Sequence, residues 1–230
     1  MTNLVVVVGM GREGRIVEGE GLTVIVGGGR SDTLARRLEH ALDQNPAGVI
    51  SFGLCGGLDP ALAAGALLVG SAVIGDAEHL PAHADWAERL MAALPRATRV
   101  SFAEGDAMVA TTAAKAALHR QTGAAAADME SHIAARLAQR RGLPFAILRA
   151  VSDPMHRSLP KAARVGLKAD GEPDIPAVLR ALLVRPAELP ALLRTAREAE
   201  VAFRALGDAR HLLGPRLACP DFGELGLDVT

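Results

Sequence analysis

The stretch Leu4–Val26, LVVVVGMGREGRIVEGEGLTVIV, decides how the fold is read. Leu4–Val8 is a continuous β-branched run ended by Gly9 and reads as a buried strand. Gly9, Gly11 and Gly14 then fit G-x-G-x-x-G, the fingerprint of a dinucleotide-binding turn. That reading needs a full crossover helix before the next strand, about a dozen residues or more. Only Arg15–Gly21 separate Gly14 from the second run, Leu22–Val26, and two of those seven residues are glycine, a poor helix interior. The acidic residue expected after the second strand is also missing, because GGGR follows it. The stretch therefore predicts two strands paired as a hairpin. The glycines between them form either a plain tight turn or a ligand loop of another kind. A dinucleotide-binding oxidoreductase remains a remote alternative.

Outward from there, apolar strands alternate with helices. Ser31–Leu42 reads as a helix with Leu34, Leu38 and Leu42 on one face and Ser31 or Asp32 as its N-cap. Strands are expected over Gly48–Phe52, Ala66–Ile74, Arg99–Phe102, Ala124–Ala127 and Phe145–Val151. Helices are expected over Asp85–Leu94, Thr111–Gln121 and Met129–Arg141. The tail from Ile175 reads as mostly helical, its C-terminal part spanning about 175–215. Within it Leu189, Leu192, Leu193, Ala196, Phe203 and Leu206 recur at helical spacing, as if packed on the sheet. The pattern predicts an α/β fold with a largely parallel or mixed sheet, in one domain over residues 1–230.

Composition narrows the function classes. Half of the 230 residues are hydrophobic and 3% are aromatic, so the core is built from Val, Leu, Ile and Ala. The net charge is −1 with no long block of one sign, which argues against nucleic-acid binding. Two cysteines, Cys55 and Cys219, with no CxxC, make a zinc site or disulfide scaffold an unfavourable reading and fit a reducing cytoplasm. The seven histidines show no metal-ligand spacing, so no metal is expected. No apolar run approaches the ~20 residues that span a bilayer, and the start lacks the basic segment of a signal peptide. A soluble cytoplasmic protein is expected.

Three further stretches carry a resemblance. Phe52–Leu58 (FGLCGGL) is a glycine loop at a strand end; Gly105–Val109 (GDAMV) follows; then Ala127–Ser131 (ADMES) precedes Leu148–Asp153 (LRAVSD). Together they resemble the nucleoside phosphorylase and nucleosidase superfamily over roughly residues 1–155, in particular the methylthioadenosine/S-adenosylhomocysteine nucleosidase branch. The tail after Pro154 (LPKAA, then DGEPDIPAVLRALLVRPAELPALLRTAREAEVAF) is similar to the hopanoid-associated phosphorylase group. The resemblance implies a three-layer α/β/α fold with a central mixed sheet flanked by helices. It implies release of adenine from a 5′-substituted adenosine, most specifically adenosylhopane, giving ribosyl or phosphoribosyl hopane. Methylthioadenosine/S-adenosylhomocysteine nucleosidase or another purine nucleoside phosphorylase is the alternative, and a non-catalytic nucleoside-binding protein is a third. It implies no cofactor, with phosphate as a potential co-substrate. The partner is a small nucleoside, potentially lipid-linked, with peripheral membrane contact and a homo-oligomer expected.

Breaking an N-glycosidic bond requires a proton for the departing purine, a hold on the ribose, and a nucleophile opposite. Asp153 ends an apolar strand, where α/β sheets place ligands and where partial burial makes a carboxyl a useful acid. Read without the resemblance, Asp153 before Pro154 is better explained by a turn or cap. Ser152 and Arg149 are candidates to orient it, and Arg149 is a charge within an apolar strand that needs a buried partner. By resemblance Glu130 clamps the ribose hydroxyls, Met129 packs on the ribose face, and Met108 and Val109 face the purine. Asp128 is explained by a helix dipole, and Asp106 reads as structural. The loop containing Gly53, Leu54, Cys55 and Gly56 would bring N–H groups to the nucleophile. Leu54 stands where the family commonly has serine, which casts doubt on phosphate, although Arg15 or Arg30 could supply charge. Cys55 reads as a small buried thiol. Glu13 resembles the residue that activates water, one position short of the usual spacing from Gly9. If Glu13 faces the site, water is favoured as nucleophile; if Arg15 does, phosphate is favoured.

Overall fold

The computed structural model describes residues 3–75, 78–105, 107–164 and 174–221. Eight strands form one mixed sheet: β1 (Leu4–Val8), β2 (Leu22–Val26), β3 (Gly48–Gly57), β4 (Leu67–Ile74), β5 (His79–Pro81), β6 (Thr98–Ala103), β7 (Ala126–Ala127) and β8 (Phe145–Asp153). Helices α1 (Gly11–Val17), α2 (Ser31–Leu42), α3 (Ala84–Ala93), α4 (Thr112–Thr122), α5 (Ser131–Arg140), α6 (Lys161–Arg164), α7 (Ile175–Val184) and α8 (Leu189–Leu212) connect and flank it. Two apolar clusters lie on opposite faces of the sheet. One holds Val6, Val8, Phe52, Trp86, Leu148 and Leu206; the other holds Val5, Val7, Leu34, Leu38, Ile133 and Ile147. The alternation along β1 follows from the two-residue side-chain period of a strand covered on both faces.

The strand pairing is partly a ring. β3 pairs parallel with β8, β8 antiparallel with β4, β4 parallel with β6, and β6 parallel with β7, which returns antiparallel to β3. β1 and β2 extend this ring as an open wing on the other edge of β3.

The wing corrects the expected hairpin. β2 pairs with β1 in parallel, from Leu4 opposite Leu22 to Val8 opposite Val26. The crossover is α1, only seven residues long, and it takes its first turn from the glycine motif itself. Gly11 and Gly14 are helical, so the helix begins four residues before Arg15, where the expected crossover starts. Gly14 lets α1 lie close on the wing: a Cβ there would press on Val24 Cγ1 at 3.3 Å. The glycines serve helix-to-strand packing as well as the turn.

Helix α8 departs from the sequence reading in its first half. Ala202, Phe203, Leu206 and Ala209 are buried on the sheet, whereas Leu189, Leu193 and Ala196 are exposed. Asp106 and residues 165–173 lie outside the described residues. Among the described residues, no helix is long and apolar enough to cross a membrane.

Candidate active site

The carboxyl ends of β1, β3, β7 and β8 converge on a cavity of about 180 Å³. Glu13, Leu54, Cys55, Gly56, Met108, Val109, Met129, Glu130, Arg149, Ser152 and Asp153 all line it, as do Gly9, Met10 and Lys115. Gly53 stands behind this lining. Arg15 and Arg30 are not among the lining residues: both are exposed, and Arg30 lies 3.7 Å from Asp32. Met108 is 45% exposed, so the wall it forms opens toward solvent.

Glu13 is buried, and its carboxylate is held by backbone N–H groups from two parts of the chain. Oε2 accepts from Gly9 at 2.7 Å and Met10 at 2.8 Å, and Oε1 accepts from Leu54 at 2.7 Å. The bond from Met10 is the reach-back half of a capping box and fixes the start of α1. Close approach across the sheet is possible because Gly53 has φ +149° and no side chain. A Cβ there would sit 2.6 Å from the Glu13 carboxylate. Burial raises the pKa of Glu13 above the ordinary carboxylate value, against the lowering pull of Arg149 and the three N–H bonds.

Arg149 has the buried partners its position in an apolar strand called for. One guanidinium nitrogen lies 2.5 Å from Ser51 Oγ, 3.3 Å from Asp128 Oδ1 and 3.2 Å from Glu130 Oε2; the other donates to Leu54 O at 3.1 Å. Its Nε has no hydrogen-bond partner among the described residues. Asp128 accepts from the N–H groups of Glu130 (2.8 Å) and Ser131 (2.6 Å), so it braces the entry to α5 and anchors Arg149. The Glu130 carboxylate sits beside the first glycine turn, where a Cβ on Gly9 would be 3.0 Å from Oε1. Burial, with Asp128 and Glu13 nearby, pushes its pKa up to about 7 in spite of Arg149. One guanidinium thus faces three carboxyl groups.

Asp153 occupies the other end of the cavity at the tip of β8. Its Oδ2 is 2.6 Å from Lys115 Nζ, and its Oδ1 accepts from Ser152 Oγ at 2.7 Å. Burial raises its pKa, with Lys115 and Ser152 opposing that rise. Lys115 is the residue that sequence reasoning missed. Its side chain is fully buried, and its ammonium also donates to the carbonyls of Asp153 (2.7 Å) and Pro154 (3.1 Å). In TTAAKAALHRQT it reads as a solvated position of an alanine-rich helix. Its neighbour on β8 is far away in sequence and gives no local signal.

Cys55 is buried with its thiol pKa raised well above the usual value, chiefly by burial, so it stays protonated and a poor nucleophile. Among the described residues, no group of three or more His, Cys, Asp or Glu side chains is arranged to hold a metal ion.

The sequence profile of the phosphorylase superfamily matches residues 3–170, a span that contains every residue lining this cavity. The chain belongs to the phosphorylase superfamily. Its enzymatic class is that of nucleosidases and nucleoside phosphorylases. No curated protein matches the sequence at a significant level. Solved structures share the fold of this superfamily member at low identity. The 5′-methylthioadenosine/S-adenosylhomocysteine nucleosidase from Colwellia psychrerythraea, in complex with adenine, superposes with TM-score 0.66 and 14% identity over 92% of this chain and 96% of that one. Futalosine hydrolase of Helicobacter pylori gives 0.60 and 13% over 91% and 97%. The S-adenosylhomocysteine nucleosidase of Streptococcus pyogenes, in complex with 5-methylthiotubericidin, gives 0.58 and 14% over 89% and 96%. Membership in this superfamily sets aside the dinucleotide reading of the first glycine turn.

Proposed function

We propose that this chain hydrolyses the N-glycosidic bond of a 5′-substituted adenosine, with water rather than phosphate as nucleophile. The observation that carries this reading is the state of the N–H groups at the glycine turns. Those of Gly9, Met10 and Leu54, which could otherwise cradle an oxyanion, are occupied by the carboxylate of Glu13. A phosphate would have to displace that carboxylate and then lie among Glu13, Asp128 and Glu130, with Arg149 as the adjacent cation. Like charges at such range are strongly unfavourable in a buried site. Water meets no such barrier.

The roles follow. An ionised carboxylate has about four acceptor positions, three of which are filled at Glu13, leaving one for a water. Glu13 takes a proton from that water as its oxygen bonds to C1′. The C1′–N9 pair moves into the purine, and Asp153 delivers a proton to a ring nitrogen of the leaving adenine. Glu130 accepts from the ribose hydroxyls and, together with Glu13, stabilises the oxocarbenium-like centre. Met129 covers the ribose, and Met108 and Val109 meet the base.

The tail similarity supports adenosylhopane as the 5′-substituted substrate. So does a stripe on α7, where Ile175, Leu179 and Leu183 recur every four residues and are 57%, 56% and 84% exposed, with Arg180 and Arg185 beside them. Such a face suits peripheral contact with a lipid surface. The solved relatives that act on methylthioadenosine support the smaller substrate instead. A cytoplasmic homo-oligomer is part of the same proposal.

The test is chromatographic detection of free adenine from 5′-methylthioadenosine and adenosylhopane, with and without phosphate. Equal release in both conditions with a free ribosyl product is expected. Strict dependence on phosphate would overturn the role of Glu13. Binding of adenosine without turnover of either substrate would make the protein a nucleoside-binding module.

A further inference from the structure

We propose that Lys115 is the positioning residue of the general acid: its ammonium clamps Asp153 at Oδ2 and keeps that carboxyl able to release its proton. The inference rests on the reading of Asp153 as the acid. Three features carry it. The ammonium is fully buried and spends its three donors on one spot, Asp153 Oδ2, Asp153 O and Pro154 O, at 2.6, 2.7 and 3.1 Å. The contact joins α4 to the last residue of β8, so it fixes where the strand end points. Ser152 engages the opposite oxygen, so the carboxyl can rotate only by breaking both contacts.

The charge matters as much as the geometry. The groups facing Asp153 are Lys115 from α4, Ser152 on its own strand, Cys55 from β3 and Glu198 from α8. Glu198 is itself paired with Arg157 at 2.8 Å. Across the cavity stand Glu13, Glu130 and Arg149. Among these, Lys115 is the cation in direct contact. Burial favours the neutral carboxyl, and a carboxyl kept neutral too strongly is a weak donor. Lys115 opposes that drift. A staple that only tied α4 to β8 would need the carbonyl contacts but no charge on the carboxyl.

Lys115→Gln separates the two roles, because an amide still donates to the carbonyls but carries no charge. A general acid is active while protonated, so its limb of the kcat/KM profile is the fall in activity as pH rises. With Lys115 gone the Asp153 pKa rises, so that limb moves to higher pH. We expect kcat to fall on the order of 10–100-fold, less than the roughly 10²–10⁴-fold of losing a general acid outright because Asp153 itself remains, with KM little changed. Lys115→Arg is expected to restore the limb in large part. The second measurement needs no substrate: a ¹³C titration of the Asp153 carboxyl, assigned with Asp153→Asn, in the wild-type protein and in both variants. A higher midpoint in Lys115→Gln and a near-normal one in Lys115→Arg support the assignment. An unchanged midpoint in Lys115→Gln overturns it, whatever the activity shows. If the wild-type protein releases no adenine from any nucleoside, the hydrolase reading fails on its own, and the titration still decides whether Lys115 governs Asp153. Should Lys115→Gln fail to fold, Lys115→Met removes the charge and the carbonyl contacts together, and an Asp153 midpoint unchanged in it overturns the assignment, whereas a higher one supports it.

Discussion

The carboxylate of Glu13 lies 2.7 Å from the backbone N–H of Leu54, forty-one residues further along the chain. This bond ties the first turn of α1 to the middle of β3 and fills the glycine turns with a group from the protein itself. Two consequences can be measured, and a third prediction concerns the neighbouring carboxyl of Glu130.

Glu13→Gln keeps the side-chain shape but places an amide N–H₂ against at least one backbone N–H. Two donors then face each other in a buried site, and such unsatisfied groups cost about 1–3 kcal/mol each. A lower Tm is expected by calorimetry. Adenine release should drop by roughly 10²–10⁴, the usual contribution of a general base, with KM affected far less. A variant that retains full turnover would remove Glu13 from the mechanism.

Gly53→Ala puts a methyl 2.6 Å from the Glu13 carboxylate at a backbone φ of +149°. The strain and overlap together should cost about 1–3 kcal/mol. The displaced carboxylate should lower kcat well before the fold is lost. Paired thermal melts and initial rates test this, and wild-type kcat in a soluble Gly53→Ala protein would contradict the geometry.

Glu130 has its pKa lifted from 4.5 to about 7 by burial. The sign follows from proton linkage. Between those values the folded state holds a proton that the unfolded state has lost, so this group's contribution is favourable at low pH. That contribution is lost as pH rises through the interval. Differential scanning fluorimetry from about pH 5 to about pH 8 should therefore show a falling Tm, and Glu130→Gln should flatten that part of the curve. Equal slopes in both proteins would show that another group carries the dependence.

Much of the fold was legible because its signals are local. The apolar runs of β1, β3 and β8 and the leucine spacing of α2 are properties of neighbouring residues. Asp153, Glu130 and Arg149 were legible through the motifs they sit in, and Arg149 also through the anomaly of a charge in a buried strand. The parallel pairing of β1 with β2 was not. It depends on α1 using Gly11 and Gly14 as helical residues, against their intrinsic preference, with Gly14 closely packed on Val24 of the wing. Strand β5, with only three residues and a proline, carries too little pattern to be seen. Lys115 was hidden for the same reason that makes it informative. A helix position reads as solvated until the strand end that covers it is known.

The strand ring described above has a mechanical consequence. Leu54, Arg149 and Asp153 ride on a closed hoop, where each strand is gripped from both sides. Glu13 rides on a short strut attached to the open wing. The strut's outer side is held by α8: Arg12 pairs with Glu200 at 2.8 Å and lies 4.0 Å over the Phe203 ring, and Arg210 donates to Val17 O at 3.1 Å. The acid thus stands on a strand paired on both edges, and the base on a short helix held from inside by the Leu54 N–H and from outside by α8. The C-terminal helix therefore borders both ends of the site, through Arg210 and Glu200 at α1 and through Glu198 near Asp153.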